Sequence, residues 1–200
     1  MPNELVAARP LTVLMPKNRG LAAMAERALK SLSHTIAVDR TAVRGEDVPM
    51  LANVVARLGC PLFAMTGDDL LDEWLAGGNV LDASIRRTRV EWNDPGARFG
   101  KPALCLIGPR GGTPPTEGTI RVAVCAKYKH LARKYLRALE RPGLHITPVI
   151  ISGTVEAALL HNAADLMIDI VVSGATIDRL ALDVYTVLHT SDLAVLEANR

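Results

Sequence analysis

Cysteine is scarce in this sequence. Only Cys60, Cys105 and Cys125 occur in 200 residues, far apart from one another. No CxxC pair and no zinc-type spacing is present, which excludes a disulfide scaffold and a zinc module. Reduced, mostly buried thiols in a cytoplasmic protein are expected. Aromatic residues make up 4% of the chain, so its cores must be built from Ala, Val, Leu and Ile. No stretch approaches the roughly 20 apolar residues that span a bilayer, and the start of the chain has no apolar signal region. No membrane association is expected. The formal net charge is only +2, which gives no bulk electrostatic case for nucleic acid. The five histidines form no HxxxH or HExxH pattern.

Hydrophobic residues reach 49% against 22% charged, enough for one large domain or two small ones with real cores. Leu11 to Met15 is a short buried strand ending at Pro16. Leu21, Met24, Ala25, Ala28, Leu29 and Leu32 then fall at helical steps, making a βα unit. A second helix is expected to turn Val48, Leu51, Val54, Val55 and Leu58 inward and to end at Gly59. Leu62 to Met65 reads as a strand, leading through Thr66-Gly67-Asp68-Asp69 into a helix with Leu70, Leu71 and Trp74. Val90 to Trp92 and Ala103 to Ile107 read as strands, separated by a loop rich in Gly and Pro.

Ile120 to Val124, His145 to Ile151 and Leu166 to Val172 read as strands. They alternate with helices at Tyr128 to Leu139 and Val155 to Ala164. This rhythm predicts a parallel sheet covered by helices. Two further strands close the chain, at Val184 to Leu188 and Leu193 to Leu196. The boundaries drawn are 1–95 plus 182–200 for a first α/β domain and 96–181 for a second.

One segment carries chemistry. Leu166 to Val172 runs into Ser173-Gly174-Ala175-Thr176. Gly174 permits a tight bend and close backbone approach to a ligand. The amides and hydroxyls that follow suit a phosphate monoester. An ordinary strand-to-helix turn with a Ser or Thr cap has the same composition. Asp169 adds weight, because an unpaired carboxylate in an apolar strand is costly. Its partner is either a nearby amide or basic side chain, or a ribose hydroxyl or magnesium ion.

Other features have simpler explanations. The basic face Lys127 to Arg137 reads as a solvated helix face. The Gly108 to Pro115 loop lacks the GK[ST] ending of a P-loop. Asp68, Asp69, Asp72 and Glu73 suit a helix N-terminus better than a metal cluster.

Gly153-Thr154-Val155-Glu156, Ala164-Asp165, Asp169-Ile170-Val171 and Ser173-Gly174-Ala175-Thr176 resemble the signature of ATP phosphoribosyltransferases. That signature has the form G-[ST]-[VI]-E, a gap, G-x-A-D, then D-[LIV]-V-x-[ST]-G-x-T. Asn162 stands where the family has glycine. Pro16-Lys17 with Arg19, Arg44 with Asp47-Val48-Pro49, and Phe63 to Leu71 are similar to family segments in the first half. Ending at Arg200, the chain resembles the short form of the family.

The resemblance implies two α/β domains of the periplasmic-binding-protein kind with a cleft between them. It implies transfer of a phosphoribosyl group from phosphoribosyl pyrophosphate to N1 of ATP, with Mg2+ accompanying the pyrophosphate and protein metal ligands unknown. It assigns the 5-phosphate to Ser173, Gly174, Ala175 and Thr176, and the ribose hydroxyls to Asp169. Glu156 is a candidate for ribose or metal. Lys17 and Arg19 would meet phosphates, and Thr66 and Gly67 would lie on the ATP side. A homodimer joined by a regulatory subunit resembling a histidyl-tRNA synthetase is implied as well. Two alternatives stay open: a phosphoribosyltransferase with another acceptor, and a non-catalytic two-domain binding protein.

Overall fold

Two five-stranded sheets organise the chain, and each is the centre of its own unit. The computed structural model describes residues 10–31 and 38–199. Leu32, at the end of the first helical face, lies outside the described residues. Both sheets carry helices, so the architecture is α/β, as expected.

The first unit comprises the chain up to Gly67, Val80–Val90 and Leu193–Arg200. Its strands are β1 (Leu11–Pro16), β2 (Val38–Val43), β3 (Leu62–Gly67), β4 (Arg86–Val90) and β10 (Leu193–Ala198). They lie in the order β2-β1-β3-β10-β4. β1 runs parallel to β2 and β3, whereas β10 runs antiparallel to β3 and β4. β3 and β10 are buried along their whole length, and continuous apolar strands are what a doubly covered sheet requires.

The helices of this unit are α1 (Arg19–Ser31) and α2 (Val48–Arg57). α2 corrects the sequence expectation. Its inner face is Val48, Ala52 and Ala56, while Val54 and Leu58 are exposed. Small alanines let the helix sit close to the sheet, with Leu51 and Val55 half-buried at its flanks. Gly59 does end the helix region, at φ +67.

The second unit comprises Asp68–Asn79 and Glu91–Asp192. Its strands are β5 (Ala103–Pro109), β6 (Gly118–Cys125), β7 (Leu144–Ile151), β8 (Leu166–Val171) and β9 (Leu182–Thr190). The order is β7-β6-β8-β5-β9. β7, β6 and β8 are parallel, as the βαβαβ rhythm predicted. The sheet as a whole is mixed, because β5 pairs antiparallel with both β8 and β9.

β9 also departs from the drawn boundary. Residues 182–190 pair with β5 in the second sheet, and only β10 joins the first. Trp92 is no strand residue. It is buried in a loop, its amide donating to Asp192 Oδ1 at 2.9 Å.

The helices are α3 (Asp68–Ala76), α4 (Lys129–Leu139), α5 (Glu156–Leu160) and α6 (Ala175–Arg179). One face of the sheet packs Leu104, Leu106, Val122, Val124 and Ile168 against Tyr128, Leu131 and Leu136 of the α4 region. The other packs Cys105, Ile107, Ala123 and Met167 against Val155, Ala158 and Ile177. No helix among the described residues is long and apolar enough to cross a membrane.

Candidate functional site

The end of β8 and the turn after it form the wall of a pocket of about 250 Å³. Asp169, Ser173, Gly174, Ala175 and Thr176 line it, joined by Glu156 at the start of α5. All six were singled out from sequence, and the second unit brings them together. Gly174 has φ +81, a left-handed conformation that L side chains rarely adopt. This bend turns the chain out of the strand into the single helical turn of α6. Among the described residues, the Ser173 and Thr176 hydroxyls donate to no protein acceptor; Ser173 Oγ accepts from the Ala175 amide at 3.4 Å. Both hydroxyls can therefore turn to a ligand.

Asp169 is half-buried in β8, across from Cys105 of β5. Its Oδ1 accepts from the Ile170 amide at 2.8 Å, so of the partners considered from sequence the protein supplies a backbone amide. Burial raises its carboxyl above the usual range. The Ile170 amide and the Lys127 charge oppose that rise, and the nearby Glu156 adds to it. Two carboxylates thus share one small pocket with a set of hydroxyl and amide donors. That combination can hold sugar hydroxyls at one end and a phosphate at the other. Among the described residues no group of three or more metal-type ligands occurs. Two carboxylates suit a magnesium ion that brings phosphate and water ligands of its own.

The remaining candidates belong to the first unit. Lys17 is exposed just after β1, where its amide donates to Val43 O at 2.8 Å. Arg19 opens α1, and its side chain lies outside what the structure describes. Thr66 is fully buried in β3, its hydroxyl donating to Gly45 O at 2.7 Å. Gly67 ends the same strand and pairs with Leu193. Thr66 thus has a structural hydrogen bond that its place in the sequence did not suggest.

Three of the four acids of the α3 segment, Asp68, Asp69 and Glu73, hold the second unit together. Asp68 accepts from the Asp192 amide at 2.7 Å. Asp69 accepts from the hydroxyls of Tyr128 at 2.6 Å and Ser191 at 2.5 Å. Glu73 caps the neighbouring helix α4, accepting from the His130 and Leu131 amides at 2.9 Å and 2.7 Å. One residue escaped sequence reasoning altogether. Arg98, in a loop notable only for its glycines and proline, lies against Gly174. Nothing local in the sequence signals that contact.

A family model described as ATP phosphoribosyltransferase matches residues 52–200. Among solved structures the chain is similar to the ATP phosphoribosyl transferase (HisG:HisZ) complex from Thermotoga maritima. The TM-score is 0.62 at 20% identity, covering 94% of this chain and 87% of that one. It is also similar to the periplasmic aliphatic sulphonate binding protein SsuA from Escherichia coli. There the TM-score is 0.60 at 17% identity, covering 95% of this chain and 65% of that one. At such identities the likeness is one of fold, two α/β domains of the periplasmic-binding-protein kind. The family match spans well over half of the chain and includes every residue of the Asp169 pocket, and the chain belongs to the ATP phosphoribosyltransferase family.

Proposed function

We propose that the chain transfers a phosphoribosyl group from phosphoribosyl pyrophosphate to N1 of ATP, in the first step of histidine biosynthesis. The observation that carries this is the pocket where Asp169 and the Ser173–Thr176 turn meet. In this reading Ser173, Gly174, Ala175 and Thr176 hold the 5-phosphate, and Asp169 accepts from the ribose hydroxyls. Glu156 adds a second carboxylate beside them. A magnesium ion bound with the diphosphate would neutralise its charge. A bond forms between N1 of the adenine and C1 of the ribose, and the bond from C1 to the pyrophosphate oxygen breaks. Orientation of the two ligands and fixed donors supply the rate, with no protein nucleophile. Lys17 and Arg19 are assigned to phosphates and Gly67 to the ATP side, whereas the buried Thr66 is taken up by its bond to Gly45 O and is withdrawn as an ATP contact.

The Thermotoga maritima neighbour is a HisG:HisZ complex. That supports a hetero-oligomer here, with a regulatory subunit. In this reading the catalytic chains also pair as dimers, the regulatory subunit resembles a histidyl-tRNA synthetase, and the assembly works in the cytoplasm. The test is direct. The chain, mixed with such a partner, ATP, magnesium and phosphoribosyl pyrophosphate, should yield phosphoribosyl-ATP and pyrophosphate. No product from an assembly shown to bind both ligands would overturn the proposal.

One observation favours a second reading, a phosphoribosyltransferase with another acceptor. The family match begins at residue 52 and leaves out Lys17 and Arg19. Calorimetry with each ligand separates the two, since this second enzyme would bind phosphoribosyl pyrophosphate but not ATP.

A further inference from the structure

We infer that Arg98 is a positioning residue for the phosphate-binding turn, holding Ser173–Thr176 in shape from the side away from the ligand. The inference rests on the reading of that turn as the 5-phosphate site. Arg98 grips the turn at three places. Its backbone amide donates to Val172 O at 2.7 Å, just before the turn. Its Nη1 donates to Asp178 Oδ1 at 3.1 Å, just after it. Between these, the side chain lies directly on Gly174: a Cβ built there would stand 3.0 Å from both Cδ and Nη1 of Arg98. The glycine therefore meets two demands, a positive φ and space for an arginine.

Arg98 does not line the pocket of Asp169. It lines a separate, more open hollow with Phe99, Asp183 and Tyr185. Gly174 lines the pocket and also touches Arg98, whereas Arg98 does not line the pocket, so Arg98 acts through the turn. Its anchor is itself held. Arg110 lies 3.9 Å from Asp178 and 3.7 Å from Asp183, and Asp183 accepts from the Gly111 amide at 2.8 Å. A chain of alternating charges so ties α6 to the end of β5 and the start of β9. A turn that must present several donors to one phosphate gains from such a brace, because donors fixed in advance need no reordering on binding. The guanidinium also places a permanent positive charge behind an anion site.

The test uses the full chain with magnesium and phosphoribosyl pyrophosphate in calorimetry, and the same mixture with ATP and the regulatory partner added in steady-state kinetics. Arg98→Ala should raise the Kd and KM for phosphoribosyl pyrophosphate about fivefold, the upper size expected when a partly exposed charged brace of the turn is lost. Its kcat should stay within about threefold, since the turn binds the donor and does not touch the reacting bond. Arg98→Lys should recover part of the loss.

A double-mutant cycle supplies a second measurement that needs no assumption about Arg98→Ala alone. Gly174→Ala pushes a methyl group into the guanidinium, so it should cost less affinity when Arg98 is already alanine. Strictly additive losses, or an Arg98→Ala protein that binds phosphoribosyl pyrophosphate within twofold of the unaltered chain, overturn the inference and leave the site intact. Failure of the unaltered chain to bind phosphoribosyl pyrophosphate overturns the site and the inference together.

Discussion

Asn162 shows how a departure from a family pattern can leave its physics unchanged. The signature has glycine at this position, and here the asparagine has φ +54. Asparagine tolerates the left-handed region better than almost any other non-glycine residue. The turn that ends α5 is therefore kept, with the Asn162 amide donating to Leu159 O at 3.1 Å. Asn162→Gly should be close to neutral in thermal denaturation, whereas Asn162→Val should cost about 1–3 kcal/mol, the usual strain of a β-branched residue there.

Asp169 carries the opposite kind of cost. Burial raises its carboxyl above its usual value of 3.8. A carboxyl so raised stabilises the fold fully only below its unfolded value, and that stability is lost as pH rises through the folded value. At neutral pH the charged Asp169 is a net burden to stability. Asp169→Asn keeps an acceptor for the Ile170 amide and removes the charge. It should raise the melting temperature at pH 7 by a few degrees while weakening phosphoribosyl pyrophosphate binding. A fall in both would show that the carboxylate serves packing instead of ligand.

Elements differ in how far the sequence determines them. β6, β7 and β8 were legible because each is an apolar run separated by a helix, and that rhythm makes neighbours parallel. α4 was legible to within one residue of its start. Leu131, Ala132 and Leu136 are buried, as is Tyr128 just before it. β9 was not assigned to its sheet, since its alternation fits either sheet and the choice rests on pairing with distant β5. The predicted helix from Val155 to Ala164 shrinks to α5 because the left-handed Asn162 stops it. The pocket was legible where its residues are close in sequence, from Asp169 to Thr176. Arg98 was not, as its contacts cross most of the second unit's length.

Glu73 belongs with the hidden contacts. It reads as an acid of α3, yet its buried carboxylate satisfies the first amides of α4. Helix-start amides have no partner within their own helix, so Glu73→Ala leaves two of them orphaned. A loss of about 2 kcal/mol is expected, which lowers the melting temperature by roughly 4–8 °C for a chain of this size. Glu73→Gln, which keeps an acceptor, should lose clearly less.

At the scale of the whole molecule, each unit has its own sheet and core, and the second also has a buried polar cluster. The half-buried His189 of β9 lies against it. Its Nε2 is 3.9 Å from Asp68 Oδ1 and 3.9 Å from Asp72 Oδ2, and its Nδ1 is 3.4 Å from the Tyr135 hydroxyl. Asp68 raises the imidazole above its usual value of 6.5, burial opposes this, and Asp72 and Asp69 reinforce the rise. A histidine so raised stabilises the fold fully below pH 6.5, and its contribution is lost as pH climbs through the folded value. The sequence offers a selective reporter. Its two tryptophans, Trp74 and Trp92, both lie in the second unit. Thermal unfolding followed by tryptophan fluorescence therefore reads that unit alone. Its midpoint should fall by a few degrees between pH 6 and pH 8.5 in the unaltered chain. In His189→Gln the same interval should be nearly flat, with the midpoint at pH 6 brought down toward the value at pH 8.5. An equal slope in both proteins would remove His189 as the source and leave the pH dependence to the carboxylates around it.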